Sequence, residues 1–260
     1  MISESAKGIG IGIGFVALLI GLWELLGARG GVALTAVLPP PSQFLGTIAE
    51  SGFKIGLGAQ AAPVWDSALS TLGRVFAGMA VAFVLAILTG ALLSLSKVAT
   101  WCLRPVLHIL APIAPIAWIP TAIVVFGISN MTAVFIVFMG VYFVLTIATL
   151  AEIERVPAEY LTVAENLGAS PAERWVSVVV PAILPGIFML LRTNFLAAWM
   201  AVLVAEMVGL RDGLGAIIMM GRNLFNNELI MFGMVIIGVT GFLVDKVLAL
   251  IGARLLWWRS

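Results

Sequence analysis

An arginine set in an otherwise uncharged apolar run is the most chemically pointed feature of this sequence. Arg192 lies inside the run 178–205 and is followed by Thr193 and Asn194. A guanidinium at the centre of a bilayer-spanning helix costs about 2.5–3.5 kcal/mol on insertion scales, so it must face a bundle interior or a water-filled cavity. In a cavity it can attract an anion; in a bundle it can bind the free carbonyls of a broken helix. Glu206 stands 14 residues further on, about 21 Å along a helix. It is out of reach of Arg192 on the same helix and is placed near that helix's end, where it can pair with Arg211 or close a gate.

Pro112, Pro115 and Pro120 crowd a second apolar stretch. Each deprives a carbonyl of its partner, which a membrane tolerates only where protein or water supplies a replacement. Broken helices near the midplane often line transport sites, the alternative being a kink packed against its neighbours. Trp118 and Trp199 are either pore walls or packing residues. His108 has no second ligand at metal spacing. Cys102 is the single cysteine, which excludes an internal disulfide. No Gly-Lys dipeptide occurs, so the chain carries no phosphate-binding loop for ATP.

The elements that hold these residues follow from composition. Of 260 residues, 62% are apolar and 10% charged, with a net charge of +1. A water-facing surface needs about 25% charged residues, and nucleic-acid binding needs a basic one. The chain is therefore expected to be an all-α polytopic membrane protein, a single domain over 1–260. A bilayer core needs about 20 apolar residues per helix. The runs 8–26, 75–96, 178–207 and 229–253 each suit one span. The 47 residues of 105–151 lack any Asp, Glu, Lys or Arg and suit two, turning at Gly127-Ile128-Ser129-Asn130. The first run is read as a retained helix, not a cleaved signal peptide. That makes about six transmembrane helices, with Arg74 flanking the second. Lysine and arginine number seven on the loops of the N-terminal side and five opposite, placing both termini in the cytoplasm. Segment 28–73 is then extracytoplasmic. Its Pro39-Pro40-Pro41 is followed by Ser42 as an N-cap, and Phe44, Leu45, Ile48 and Phe53 form one face of an interfacial helix. Asp245 and Lys246 either reach headgroups or pair across helices, and Trp257 and Trp258 anchor the C-terminal end at the interface.

The longest charged segment, 152–177, reads as a helix, a glycine turn and a second helix. Tyr160, Val163, Ala164 and Leu167 fall on one helical stripe. Gly168 can end a helix in the left-handed conformation. Ser170, with Pro171 at the first helical position and Glu173 at the third, forms a capping box. By itself such an elbow can be an amphipathic connector resting on its own bundle.

Ala164-Glu165-Asn166-Leu167-Gly168-Ala169-Ser170, followed by Val180-Pro181-Ala182-Ile183-Leu184-Pro185-Gly186, resembles the "EAA" loop of binding-protein-dependent ABC importer permeases. The family's glutamate and first alanine fall on Thr162 and Val163; only Ala164 and Gly168 keep the pattern, so a salt bridge from that glutamate is not expected. Leu38-Pro39-Pro40-Pro41-Ser42, the stretch from Pro112 to Pro120, Leu191-Arg192 and Val204-Ala205-Glu206 resemble the nitrate, sulfonate, taurine and bicarbonate branch.

The resemblance implies a type I importer permease in a bacterial inner membrane, most simply a homodimer, and not itself an enzyme. Separate ATPase subunits, holding ATP and Mg, would grip the elbow at Thr162, Val163, Ala164, Glu165, Gly168, Ala169 and Ser170. A periplasmic or lipid-anchored binding protein would deliver a small anion, and Glu206 could contact it. Pro115, Trp118, Arg192, Asn194, Trp199 and Glu206 are the pathway candidates. Another small organic solute is the alternative cargo. An ion-driven transporter is the rival mechanism, but it calls for midplane carboxylates and inverted repeats, which the sequence lacks.

Overall fold

A computed structural model describes residues 2–29, 31, 35, 37–50, 52–55 and 62–255 of the chain. Among them helices dominate. Helix α1 covers Ile2–Arg29 and α2 covers Pro41–Glu50. A two-residue antiparallel pair, Lys54–Ile55 (β1) with Ala62–Pro63 (β2), leads into α3, Val64–Leu95. Then come α4 (Lys97–Leu110), a 3-10 turn (Pro115–Trp118), α5 (Ile119–Phe126) and α6 (Asn130–Glu154). The elbow consists of α7 (Ala158–Asn166) and α8 (Pro171–Arg174). Finally there are α9 (Val180–Met207), α10 (Leu214–Asn223) and α11 (Asn227–Leu255).

Five helical stretches are long and apolar enough to cross a membrane: Gly10–Arg29, Val64–Leu95, Asn130–Glu154, Pro171–Met207 and Asn227–Arg254. A sixth crossing is a pair, Lys97–Leu110 with Pro115–Phe126, bent by 99°. The expected third span is thus broken in the middle. Pro112 lies in the break, Pro115 opens the 3-10 turn, and Pro120 sits in the first turn of α5, where a missing N–H costs nothing. Helix packing shows that this bent pair carries the chain back across. An added Cβ at Gly78 would meet Val137 Cβ at 2.6 Å, and one at Gly90 would meet Thr149 Cγ2 at 3.1 Å. Both contacts progress in the same direction, so α3 and α6 run parallel. Parallel neighbours require an odd number of crossings between them, which α4 and α5 together supply.

Gly78, Ala82, Ala86 and Gly90 recur every fourth residue and are all buried, a small-residue stripe that lets the two backbones approach. Helix α9 runs antiparallel to α6, with Ala201 against Gly140 and Glu152 against Gly186. Helix α11 runs antiparallel to α9, with Trp199 against Gly241 and Phe188 against Gly252. The main core lies between α3, α6, α9 and α11. Elsewhere the apolar side chains face outward, as on α1, where Ile11 and Phe15 are well exposed. In water this would be untenable; in lipid it is the expected surface.

Three local expectations change. Helix α3 starts at Val64, so Arg74 is an interior residue of a helix, not a flank, and is buried. Ser42 does not cap α2: its backbone N–H and its hydroxyl both donate to the carboxylate of Glu24 on α1, so the cap comes from a neighbouring helix. The buried face of α2 is Pro41, Phe44 and Ile48, while Leu45 and Phe53 are exposed. The Trp257–Trp258 anchor lies outside the described residues.

Candidate functional site

The elbow has a well-capped geometry. Gly168 stands at φ +83°, and the turn around it makes both bonds of a Schellman motif: Ala169 N–H to Ala164 C=O at 3.0 Å and Gly168 N–H to Glu165 C=O at 2.9 Å. Two residues later the Ser170 hydroxyl accepts from Glu173 N–H at 3.3 Å, and the Glu173 carboxylate accepts from Ser170 N–H at 2.7 Å. That capping box starts α8, and an Arg174–Glu165 ion pair at 3.2 Å ties α8 back to α7. Thr162 spends its hydroxyl on the Ala158 carbonyl at 3.0 Å. The second arm then enters α9 through a π-turn, Trp175–Val179, just before Pro181. Pro181 has no N–H for the ordinary i−4 bond, and a wider turn absorbs that loss.

The stripe on α7 points away from the bundle. Tyr160, Val163 and Leu167 are 56%, 58% and 81% exposed, while Leu161 on the other side packs with Val179, Ile183 and Ile187. A rigid, doubly capped elbow thus presents an unpartnered apolar face at the end where α6 stops and α9 begins.

The pathway candidates fall into separate surroundings. Arg192 faces Asp245 of α11, Nε to Oδ1 at 3.2 Å and Nη2 to Oδ2 at 3.4 Å, and both side chains are half-buried. Among the described residues no backbone carbonyl accepts from Arg192. Asn194 donates to Leu190 C=O at 2.8 Å, a local bond within α9. Trp199 is buried and packs on Phe195, with ring centroids 5.9 Å apart. Pro115 presses on Gly140. Trp118 is half-buried beside the core, and its indole N–H has no partner among the described residues.

Glu206 is the most enclosed of these residues, at 0% exposure. Its partner is Arg74, not Arg211: Nη1 donates to Oε1 at 2.7 Å. The Thr71 hydroxyl bonds both carboxylate oxygens, at 2.8 and 3.0 Å, and Gly215 N–H donates to Oε2 at 2.9 Å. Thr71 also accepts from Leu214 N–H at 2.9 Å. Glu206 and Thr71 therefore satisfy the first donors of α10, whose own N-cap residue is Gly213 and has no side chain to offer. The remaining donors of Arg74 reach Asn130 Oδ1 at 2.9 and 2.6 Å and Asp212, through its carbonyl at 3.0 Å and its carboxylate at 2.7 Å. At Asp212 partial burial pushes the carboxyl up, but the hydrogen bond and charge of Arg74 outweigh it and hold the carboxyl below its usual range. The contact is therefore fully formed at neutral pH and weakens only as pH falls through that depressed value. This network joins α3, α6, α9 and α10 at the end opposite the elbow.

Sequence reasoning named Glu206 but missed Arg74 as its partner and Asp212 on the same guanidinium; it allowed Asp245 to pair across helices without naming Arg192 as the partner. The missed signal for Arg74 was helical periodicity through Val64, Ala68, Thr71 and Val75, which extends α3 backward past the arginine.

Residues 78–256 match the family described as binding-protein-dependent transport system inner membrane component. A putative ABC transporter permease protein of Methanocaldococcus jannaschii is 30% identical over 98% of this chain and 94% of its own length. The taurine transport system permease protein TauC of Escherichia coli is 24% identical over 98% of this chain and 92% of its own. Other relatives are named as permeases for nitrate, bicarbonate and aliphatic sulfonates. Among solved structures, the methionine ABC transporter MetNI in inward facing conformations has a chain that aligns at TM-score 0.55 and 18% identity, covering 72% of this chain and 94% of that one. At that identity the likeness is one of fold, the type I ABC importer permease fold. The odd crossing between α3 and α6, the capped elbow and the family match lead to one conclusion: this chain belongs to the family of inner-membrane permease components of binding-protein-dependent ABC transport systems.

Proposed function

We propose that two copies of this chain form the translocation pathway of an ATP-driven importer for a small anion, such as nitrate, bicarbonate, taurine or an alkanesulfonate. The observation that carries the coupling part is the elbow: a stiff turn whose exposed Tyr160, Val163 and Leu167 need a protein partner. Two ATPase subunits, with their ATP and Mg, cover that face from the cytoplasm. With six crossings both termini fall on the elbow side, and the excess of lysine and arginine on the loops of that side supports reading residues 152–177 as the cytoplasmic coupling loop and the α2 end as extracytoplasmic. A binding protein delivers cargo at the α2 end. Residues Thr162 to Ser170 transmit force, since α7 and α8 are braced together and α8 leads through the π-turn into α9. The names of the relatives support the anion class.

Tagged chain expressed with its cognate ATPases is expected to retain them through purification, and the reconstituted complex to take up cargo only with ATP and the binding protein. Uptake driven by an ion gradient without ATPases would overturn this reading.

One observation favours a wider cargo class. Asp245 neutralises Arg192, so that arginine is not a free cation, and a zwitterion or neutral solute suits such a site as well as an anion does. If Arg192 recognises cargo, Arg192→Ala should lower cargo-stimulated ATP turnover by about tenfold, the scale of a lost charged hydrogen bond, while assembly persists. If the pair only braces α9 against α11, Arg192→Ala should cost stability, and pairing it with Asp245→Asn should restore much of it. Thermal unfolding and ATP turnover on both variants separate the two roles.

A further inference from the structure

The network at the Arg74 end has two carboxylates on one guanidinium, and they differ sharply in setting. Glu206 is 0% exposed and accepts from Arg74, Thr71 and Gly215, all inside the protein. Asp212 is 54% exposed and holds Arg74 from the solvent side. Removing Glu206 from Arg74 would leave a buried charge unpaired, whereas water can take the place of Arg74 at Asp212. Arg74 would meanwhile keep Glu206 and Asn130.

Asp212 also sits on a short loop bounded by two glycines. Gly209 and Gly213 bracket it at φ +135° and +111°, conformations that side-chain-bearing residues rarely adopt. The two glycines isolate Leu210, Arg211 and Asp212 between the ends of α9 and α10. The far hinge is fixed in place, because Gly213 and Gly215 are packed directly against Glu206. The segment therefore has an anchored root, with Leu210 also packed on the main core, and an outer contact at Asp212, whose carbonyl and carboxylate both accept from Arg74. That contact divides two clefts. One, of about 480 Å³, includes Ser129, Asn130, Gly209 and Asp212 in its walls; the other, of about 280 Å³, is walled by Ser70, Gly73, Arg74, Asn130 and Val134. Asn130 belongs to both, and the Arg74–Asp212 bridge stands between them.

We infer that the loop from Gly209 to Gly213 is a latch on the extracytoplasmic end of the pathway. Asp212 is its releasable contact and Glu206 its fixed root. Closed, it pins the start of α10 to α3 and α6 through Arg74. Open, it joins the two clefts into one entrance. Because Glu206 makes the root of the latch continuous with α9, movement of α9 at the elbow reaches the latch without a separate linkage. Asp212 and Glu206 are positioning residues here; neither needs to touch cargo. The inference rests on the importer reading above.

A covalent bridge tests it. The Ser70 hydroxyl hydrogen-bonds the Asp212 carboxylate, so cysteines at these two positions lie within reach of a short bis-methanethiosulfonate bridge. The single native cysteine, Cys102, is exposed and is first replaced by serine. In S70C/D212C reconstituted with its ATPases and binding protein, bridging is expected to reduce uptake to background. Reductant should restore it, with the ATPases bound throughout. Uptake by fully bridged protein at the reduced rate would overturn the latch. Asp212→Asn supplies an arm that needs no bridge: with the outer contact weakened, ATP turnover without cargo is expected to rise severalfold. Unchanged turnover, with unchanged dependence on cargo, counts equally against the latch. Should the importer reading itself be wrong, the unaltered chain would show no ATP-driven uptake, a result distinct from uptake that survives bridging.

Discussion

Valine in place of Gly168 should cut ATP-driven uptake by at least about tenfold while the bundle still folds. The effect comes from the backbone. Gly168 stands at φ +83°, with no atom within 4 Å of an added Cβ, so valine would meet no clash. It would instead pay about 1–2 kcal/mol for a left-handed conformation, and more because it is β-branched. The cheaper course is for the turn to rewind. Rewinding breaks the Ala169–Ala164 and Gly168–Glu165 bonds and turns α8 away from α7. The Arg174–Glu165 brace then separates, and the exposed Tyr160–Leu167 face no longer has a fixed angle to α9. Asparagine tolerates this conformation, so Gly168→Asn should keep most of the activity. Uptake and ATPase retention in the two variants form the measurement. If valine transports as well as glycine, the elbow angle is irrelevant to coupling.

A second large effect is expected at Arg74. Arg74→Met removes the main charge partner of a fully buried carboxylate, and breaking one side of a buried pair costs about 3–5 kcal/mol. The unfolding midpoint in detergent should fall sharply. Glu206→Met alone should also destabilise, because Arg74, the Thr71 hydroxyl and Gly215 N–H lose their shared acceptor. The double variant Arg74→Met/Glu206→Met should recover part of the loss, since replacing a whole buried pair with apolar side chains is often nearly neutral. Recovery will be incomplete, because Gly215 N–H, one of the first donors of α10, stays unsatisfied. Additive losses in this cycle would show that the two residues do not act as a pair.

Much of the architecture was legible because a bilayer imposes its own arithmetic. Runs of about 20 apolar residues must be helices when no water can satisfy a bare backbone. The elbow was equally legible, since Gly168 and the Ser170–Glu173 pair are local chemistry: a turn and a cap are decided within a few residues. What the sequence hid were distances between elements. Arg74 looked like a flank because charge usually marks the end of a span, and its burial depends on Glu206, 132 residues away. Glu206 could be placed near a helix end, but its partner could not be chosen until α3 and α9 were side by side. Ser42 misled in the same way, as a good N-cap type whose hydrogen bonds instead go to Glu24 on another helix. The 99° bend was partly written in Pro112, Pro115 and Pro120, which predict a break but not its angle.

The parallel fit of α3 and α6 bears on how the chain is made. Ribosomes deliver the N-terminal partner first, and Gly78 and Gly90 have nothing to close against until Val137 and Thr149 arrive with the same orientation. That happens only after the intervening bent pair has been threaded through. Until then the groove along α3 is an unfilled seam open to lipid, and the helix that fills it must be synthesised before the bundle can seal.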